Sequence, residues 1–393
     1  LRWTWDPIPQ RRDDPAAASW QGNSAAETGG ANAWSVLAAD PARGLVFVPT
    51  SSPAPDYVGM YRLGDNRYAN SIVALRASTG EVVWHFQTVH HDLWDYDNAS
   101  PPVLATVRQG GRDVPAVLQA TKTGQLFILH RETGVPLFGV EERAVPRSRI
   151  PGEEASPTQP FTTVTPPLSP HRITPDDAWG PTPGNRAACR EMIAGLRNEG
   201  IFTPPDTAGT LALPSNIGGA HWGGVAADSA RGIAVVPVNR LASMVQLIPR
   251  EGFDLAEARR ENSRLNLGYE YNSMRDTPYI MRRRFLLGPS GLPCTPPPFG
   301  TLVGVSLSTG QKVWEVPLGG FPSPPGAPPL PAEWGSVSLG GPIITAGGVV
   351  FIAATLDRKL HAYDVETGRL LWEGDLPAGG RAAPWTDEAE GRR

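Results

Sequence analysis

Ser71-Ile-Val-Ala-Leu-Arg-Ala-Ser-Thr-Gly80, followed by Trp84, is the stretch from which the fold is read. Its apolar residues suit a buried strand, its Thr-Gly pair supplies a turn with positive φ at the glycine, and the tryptophan lies on a returning strand. The unit recurs at Leu126-Phe-Ile-Leu-His-Arg-Glu-Thr-Gly134 with Phe138, at Thr301-Leu-Val-Gly-Val-Ser-Leu-Ser-Thr-Gly310 with Trp314, and at Leu360-His-Ala-Tyr-Asp-Val-Glu-Thr-Gly368 with Trp372. Hairpins repeated at this spacing predict an all-β chain of four-stranded blades, a β-propeller. The longer gap from Gly134 to Gly310 leaves room for further blades whose signature has decayed, plus one long excursion.

Outward from the repeats, further strands are expected at 44–49, 232–237 and 347–354. The Pro-, Ser- and Thr-rich 139–210 and the polar 250–285 read as long loop insertions on one face of a single propeller domain spanning 1–393, and the Pro-rich 320–333 as a surface loop. A short helix is expected around Arg186 to Asn198, where Ala188, Met192, Ile193 and Leu196 fall near helical spacing. Leu1-Arg2-Trp3-Thr4-Trp5-Asp6 reads as the closing strand of a unit begun upstream, so the chain is expected to be part of a longer one.

Composition agrees with short strands and many turns: 43 Gly and 42 Pro stand against only 19% charged residues. A net charge of -4 and the lack of a dense basic cluster argue against nucleic acid as a partner. The densest basic group, Arg282-Arg283-Arg284, reads as a solvated loop. No run of about 18 apolar residues is long enough to span a bilayer. Cys189 and Cys294 have no metal-site spacing around them; a disulfide and two buried thiols are both open.

The sharpest local feature is Gln87-Thr-Val-His-His-Asp-Leu-Trp-Asp-Tyr-Asp97. On an extended segment His91, Leu93 and Asp95 would face one way and His90, Asp92, Trp94 and Tyr96 the other. Adjacent histidines on a strand cannot easily share one metal ion, which leaves a turn rich in Asx hydrogen bonds or a catalytic loop. His90 and His91 are expected to order the loop or bond Asp95.

This loop, together with Asn32-Ala-Trp-Ser35, Pro55-Asp56, Thr121-Lys-Thr-Gly124, Ser156-Pro-Thr-Gln-Pro-Phe161, Gly200-Ile-Phe-Thr-Pro-Pro205, Trp222-Gly-Gly224 and Gly291-Leu-Pro-Cys294, resembles the membrane-bound quinoprotein glucose dehydrogenase family and its quinate and polyol dehydrogenase relatives. The resemblance implies an eight-bladed propeller of the quinoprotein type, incomplete in this chain, with pyrroloquinoline quinone (PQQ) and a divalent cation, calcium or magnesium. It implies Asp95 as the general base, Lys122 as the cation on the quinone oxygens, Trp34 as the ring stacked on the cofactor, and Asp357 as a further pocket carboxylate. The activity it implies is oxidation of a glucose-like sugar, with quinate, shikimate or another polyol as the alternative. Electrons would pass to ubiquinone, at the periplasmic face of the inner membrane, with membrane contact through an upstream part. The metal ligands are unknown: an Asp-Asn pair of the family would lie before Leu1, and Ala54 stands where it carries a threonine. Pro237 stands where the family has an asparagine, with Asn239 close by, and a Gly-Gly-His segment would follow Arg393. Outside the enzyme class, a non-catalytic propeller scaffold of the outer-membrane assembly type shares the Thr-Gly repeat, but has no use for the His90 to Asp97 loop with Lys122.

Overall fold

The computed structural model describes residues 1–274, 276–322 and 330–385. After a short helix, α1 (Ser24–Glu27), the first blade is the antiparallel sheet β1 (Ala38–Asp40), β2 (Leu45–Pro49), β3 (Ser71–Arg76) and β4 (Val82–Gln87). The second holds β5 (Val103–Gln109), β6 (Arg112–Ala120) and β7 (Leu126–His130); its fourth strand is reduced to a bridge between Leu129 and Pro136, because proline has no amide to extend the ladder. A hairpin of β8 (Val140–Ala144) and β9 (Thr158–Thr162) follows. An inserted sheet orders β10 (Thr210–Ala212), β13 (Ser243–Pro249), β15 (Tyr279–Phe285) and β14 (Glu270–Asn272). The third blade is β11 (Ala226–Asp228), β12 (Ile233–Asn239), β16 (Gly300–Ser306) and β17 (Lys312–Pro317), and the fourth is β18 (Pro342–Ile344), β19 (Val349–Ile352), β20 (Lys359–Asp364) and β21 (Leu370–Asp375). The strands expected at 44–49, 232–237 and 347–354 are β2, β12 and β19.

The leading strands face one another in chain order, β1 against β5, β5 against β11 and β11 against β18. The inner strands of the first three blades are buried on both faces, which explains their unbroken apolar runs. In β12, Ala234, Val236 and Val238 pack toward the second blade while Ile233 and Val235 pack toward the fourth.

The Thr-Gly units set the spacing between blades. Trp84 of the first blade covers Gly134 of the second, and a Cβ on that glycine would come 2.5 Å from the indole. Its Nε1 donates to Arg131 O at 3.0 Å. Trp314 repeats the arrangement on Gly368, donating to Val365 O at 2.9 Å, and Trp3 repeats it on Gly80, donating to Ala77 O at 3.0 Å. Phe138 covers Gly310 but has no N–H to donate. The pleat slips at the same place in three units, at Ala74/Leu75, Gly304/Val305 and Ala362/Tyr363.

Three expectations need correction. Among the described residues no further blade lies between the second and the third, since Phe138 reaches Gly310 directly and the intervening chain outside the third blade folds into the β8–β9 hairpin, two α-helices and the inserted sheet. Residues 1–6 form no strand, for want of a pairing partner among the described residues, although Trp3 fills the tryptophan socket. The stretch 250–285 is a helix, α3 (Leu255–Leu265), and two strands. Helix α2 runs Pro183–Ala194, earlier than expected, because Thr182 caps it by accepting from Asn185 N and Pro183 preorganises its first turn. Half of 320–333, residues 323–329, lies outside the described residues.

Candidate active site

The loop 87–97 is not extended: His91 and Asp95 have φ of 44° and 63°, so the expected alternation breaks. Asp92 organises it. Its Oδ1 accepts from Trp94 N at 2.8 Å, its Oδ2 from Tyr96 N and Asn70 Nδ2 at 2.9 Å, and the Ser52 hydroxyl also donates to it. Burial raises its pKa more than these bonds lower it. The histidines order the loop: His90 bonds Gln87 and Glu142, and His91 bonds Gly64 O at 2.8 Å and the buried Glu153 at 2.7 Å. Neither touches Asp95. The Trp94 indole donates to Thr203 O and the Tyr96 hydroxyl to Pro214 O, pinning the loop to the chain around the inserted sheet.

This scaffold turns Asp95 toward three partners. Lys122 Nζ, on the turn after β6, donates at 2.8 Å to Asp95 Oδ1, to Asp95 O and to Asp97 Oδ2. Asp95 Oδ2 accepts from Arg283 at 2.9 Å and from the Tyr57 hydroxyl at 3.2 Å, and Arg283 also donates to Tyr57 and Glu270. Burial alone would lower Lys122, but Asp95 and Asp97 outweigh it and hold the ammonium above its ordinary value. Burial would raise Asp97, but Lys122 and the Ser52 amide outweigh it and hold its carboxyl below the usual range. The backbone approach is close: a Cβ on Gly218 would sit 2.6 Å from Lys122 Cγ.

Around this cluster stand the segments that lead into β1, β5, β11 and β18. Ser35 Oγ donates to Ala99 O at 2.7 Å, Ser100 Oγ to His221 O at 2.7 Å, and His221 Nε2 to Ser338 O at 2.5 Å, joining the four in sequence. Burial drops His221 to about 4, so its ring is neutral. Trp34 lies on the first segment, next to Ser35, with its indole 46% exposed. Trp222 lies on the third and is 38% exposed, its ring 4.7 Å from that of His221. Asn239 is spent on Ser338, accepting from its amide at 2.8 Å. Asp357 is held elsewhere, by Thr355, His361 and the Gly320 amide, and no contact among the described residues joins it to Asp95 or Lys122.

The polar set suits a planar quinone: the Lys122 ammonium, an open indole, the unpartnered buried donors Asn98 Nδ2 and Ser215 Oγ, and the unpartnered acceptor Gln119 Oε1. Trp34 and Lys122 are the side chains that would hold it. The residues do not suit a divalent cation. Among the described residues no three acidic, imidazole or thiol groups converge. The hydroxyls of Ser51 and Ser52 are turned to Asn32 and Asp92, Ala54 offers only a methyl, and Asp95 and Asp97 already share Lys122.

Sequence reasoning missed Arg283, Tyr57 and Asp97. The Arg282-Arg283-Arg284 run is strand β15, not a solvated loop: Arg283 faces Asp95, while Arg282 and Arg284 lie over the Tyr269 ring at 4.8 and 4.7 Å. Its apolar predecessors Ile280 and Met281 were the available signal. Cys189 and Cys294 form a disulfide, which settles the open alternative.

Blades joined by Trp-on-Gly contacts, with an aspartate–lysine pair beside the leading strands, define a β-propeller with a charged site at its leading strands. The chain belongs to the family described as the PQQ glucose/ethanol/alcohol dehydrogenase β-propeller domain, matched over residues 1–393. It is 40% identical to quinoprotein glucose dehydrogenase A of Acinetobacter calcoaceticus over 405 residues, covering 100% of this chain and 49% of that protein. Over 92% of the chain and 46% of the relative it is 38% identical to quinoprotein glucose dehydrogenase of Escherichia coli. It is also 38% identical to the glycerol dehydrogenase large subunit of Gluconobacter oxydans, over 100% of the chain and 54% of that subunit. The chain thus spans about half the length of these relatives. In fold it is similar to quinohemoprotein alcohol dehydrogenase from Comamonas testosteroni, at a TM-score of 0.63 and 22% identity over 99% of this chain and 49% of that one.

Proposed function

We propose that this chain carries the reaction site of a PQQ-dependent dehydrogenase that oxidises a hydroxyl of a sugar or polyol. The observation that carries the reading is the Asp95–Lys122 ion pair at 2.8 Å; no contact among the described residues joins Trp34 to that pair, and Trp34 lies exposed next to Ser35, which bonds Ala99. When bound, the quinone would accept the hydride from the substrate carbon and, with it, the two electrons of the oxidation. Asp95 takes the hydroxyl proton; a carboxylate held at fixed geometry is suited to that transfer. Lys122 supplies positive charge where negative charge develops, and Arg283 with Tyr57 fixes the second oxygen of the base. Trp34 offers a flat apolar face. No step is derived through calcium or magnesium.

Glucose is the substrate that the first relatives' names suggest, and quinate, shikimate or glycerol the alternatives within the same chemistry. Ubiquinone as acceptor and a place at the periplasmic face of the inner membrane follow from the same resemblance. The disulfide supports an oxidising compartment, and among the described residues no helix is long and apolar enough to cross a membrane, so membrane contact would come from another part of the protein. A scaffold has no need of Asp95 clamped by two cations. Titrating PQQ into the full-length apoprotein, with and without Lys122→Met, tests the reading. Saturable binding seen in quinone absorbance, weakened by the substitution, is expected; equal binding by both proteins, or none by the wild type, contradicts it.

A further inference from the structure

Two cavities lie outside Asp95. The inner one, about 300 Å³, is lined by Asp95, Tyr57, Arg283, Glu270, Asn272 and Asp56. The outer one, about 570 Å³, is lined by Thr28, Tyr61, Asn272, the carboxylates of Glu27 and Asp276, and again Asp56. Asp56 and Asn272 line both, so these side chains mark the junction between the outer space and the one that touches the base.

Asp56 is unusual among the acidic groups of the region that are shielded from solvent; Asp276, on the same outer cavity, also lacks a partner among the described residues but is exposed. Asp92 has its Asx bonds, Asp95 and Asp97 share Lys122, and Glu153 has His91. Among the described residues the Asp56 carboxylate has no hydrogen bond or ion pair. Arg62, whose charge partly offsets it, donates instead to Pro55 O, Asp92 O and Asn66 Oδ1. Burial, with Asp95, Asp97 and Asp92 close by, pushes Asp56 up to about 7. A half-buried acceptor with no protein donor, facing a cavity, is an open position for a donor brought by a ligand. Its carboxylate neighbours favour a neutral donor over an anion.

We infer that Asp56 anchors the substrate by accepting a hydrogen bond from a hydroxyl other than the one oxidised, and so selects polyhydroxy substrates over those lacking that group. This rests on Asp95 being the base. A charge-assisted hydrogen bond of this kind contributes about 10- to 100-fold in selectivity. The test compares full-length, cofactor-loaded wild type and Asp56→Asn on D-glucose, glycerol and their monodeoxy analogues. In the wild type kcat/KM should fall for the analogue lacking the anchored hydroxyl, and in Asp56→Asn that discrimination should shrink about 10- to 100-fold, mainly through KM; unchanged discrimination overturns the anchor. A second measurement needs no turnover. Without ligand, Asp56→Asn should melt higher than wild type at pH 8, with the advantage shrinking as pH falls below 7 and gone only below about pH 4; equal melting at pH 8 shows that the carboxylate is not unpartnered and also overturns the proposal. Should Asp95 prove dispensable while Asp56→Asn still changes selectivity, the base assignment alone fails.

Discussion

Lys122 carries the electrostatics of the site. Its ammonium is the shared partner of two carboxylates, with only 7% of its side chain exposed. Lys122→Met would leave Asp97 buried without its cation, and removing one partner of a buried pair costs about 3–5 kcal/mol. The pH dependence has a definite sign. Asp97 sits below its ordinary value in the folded protein, so its stabilisation is present above about pH 4 and is lost as pH falls through the folded value. Urea melts should show Lys122→Met far less stable than wild type at pH 7, with the gap narrowing below pH 4; a constant gap contradicts the pairing. Asp56 has the opposite sign: raised to about 7, it favours the folded state at low pH and forfeits that advantage as pH rises through 7.

At the scale of elements, the Trp-on-Gly contact joins the blades, and its one imperfect copy offers a test. Trp84 and Trp314 donate to the carbonyl three residues before the covered glycine, where Phe138 cannot. Phe138→Trp should supply the missing bond to Leu307 O and stabilise the protein by about 1 kcal/mol, read as a higher denaturant midpoint; destabilisation by as much would show that this socket admits no indole. This contact also explains what the sequence made legible. A glycine with positive φ under an aromatic ring leaves little choice of residue, so four units announced themselves. Strands β13 to β15 answer to no repeat, and Arg283 comes to Asp95 from 188 positions away. Polar residues that alternate on an inserted strand look like a loop until the partner strand is known. Asp95 and Lys122 were legible through resemblance; Tyr57, whose hydroxyl matters only because β15 brings Arg283 to it, was not.

Across the whole molecule, the Cys189–Cys294 disulfide ties α2 to the chain that leaves β15, within a cluster that includes Ile173, Ile193, Leu211 and Leu286. Closing a loop of that length constrains the unfolded chain by on the order of 4 kcal/mol. Cys189→Ala with Cys294→Ala should lower the thermal midpoint by several degrees, and should loosen β15 and with it the hold of Arg283 on Asp95; an unchanged midpoint would show that the bond carries no such constraint. The blades fix where the leading strands stand, the insertions supply Arg283 and Glu153, and the site forms where they meet. The most direct measurement is steady-state turnover of a polyol with an artificial electron acceptor by full-length, PQQ-loaded Asp95→Asn. The account predicts normal quinone absorbance with turnover reduced about 10²- to 10⁴-fold, whereas turnover near the wild-type rate would contradict it.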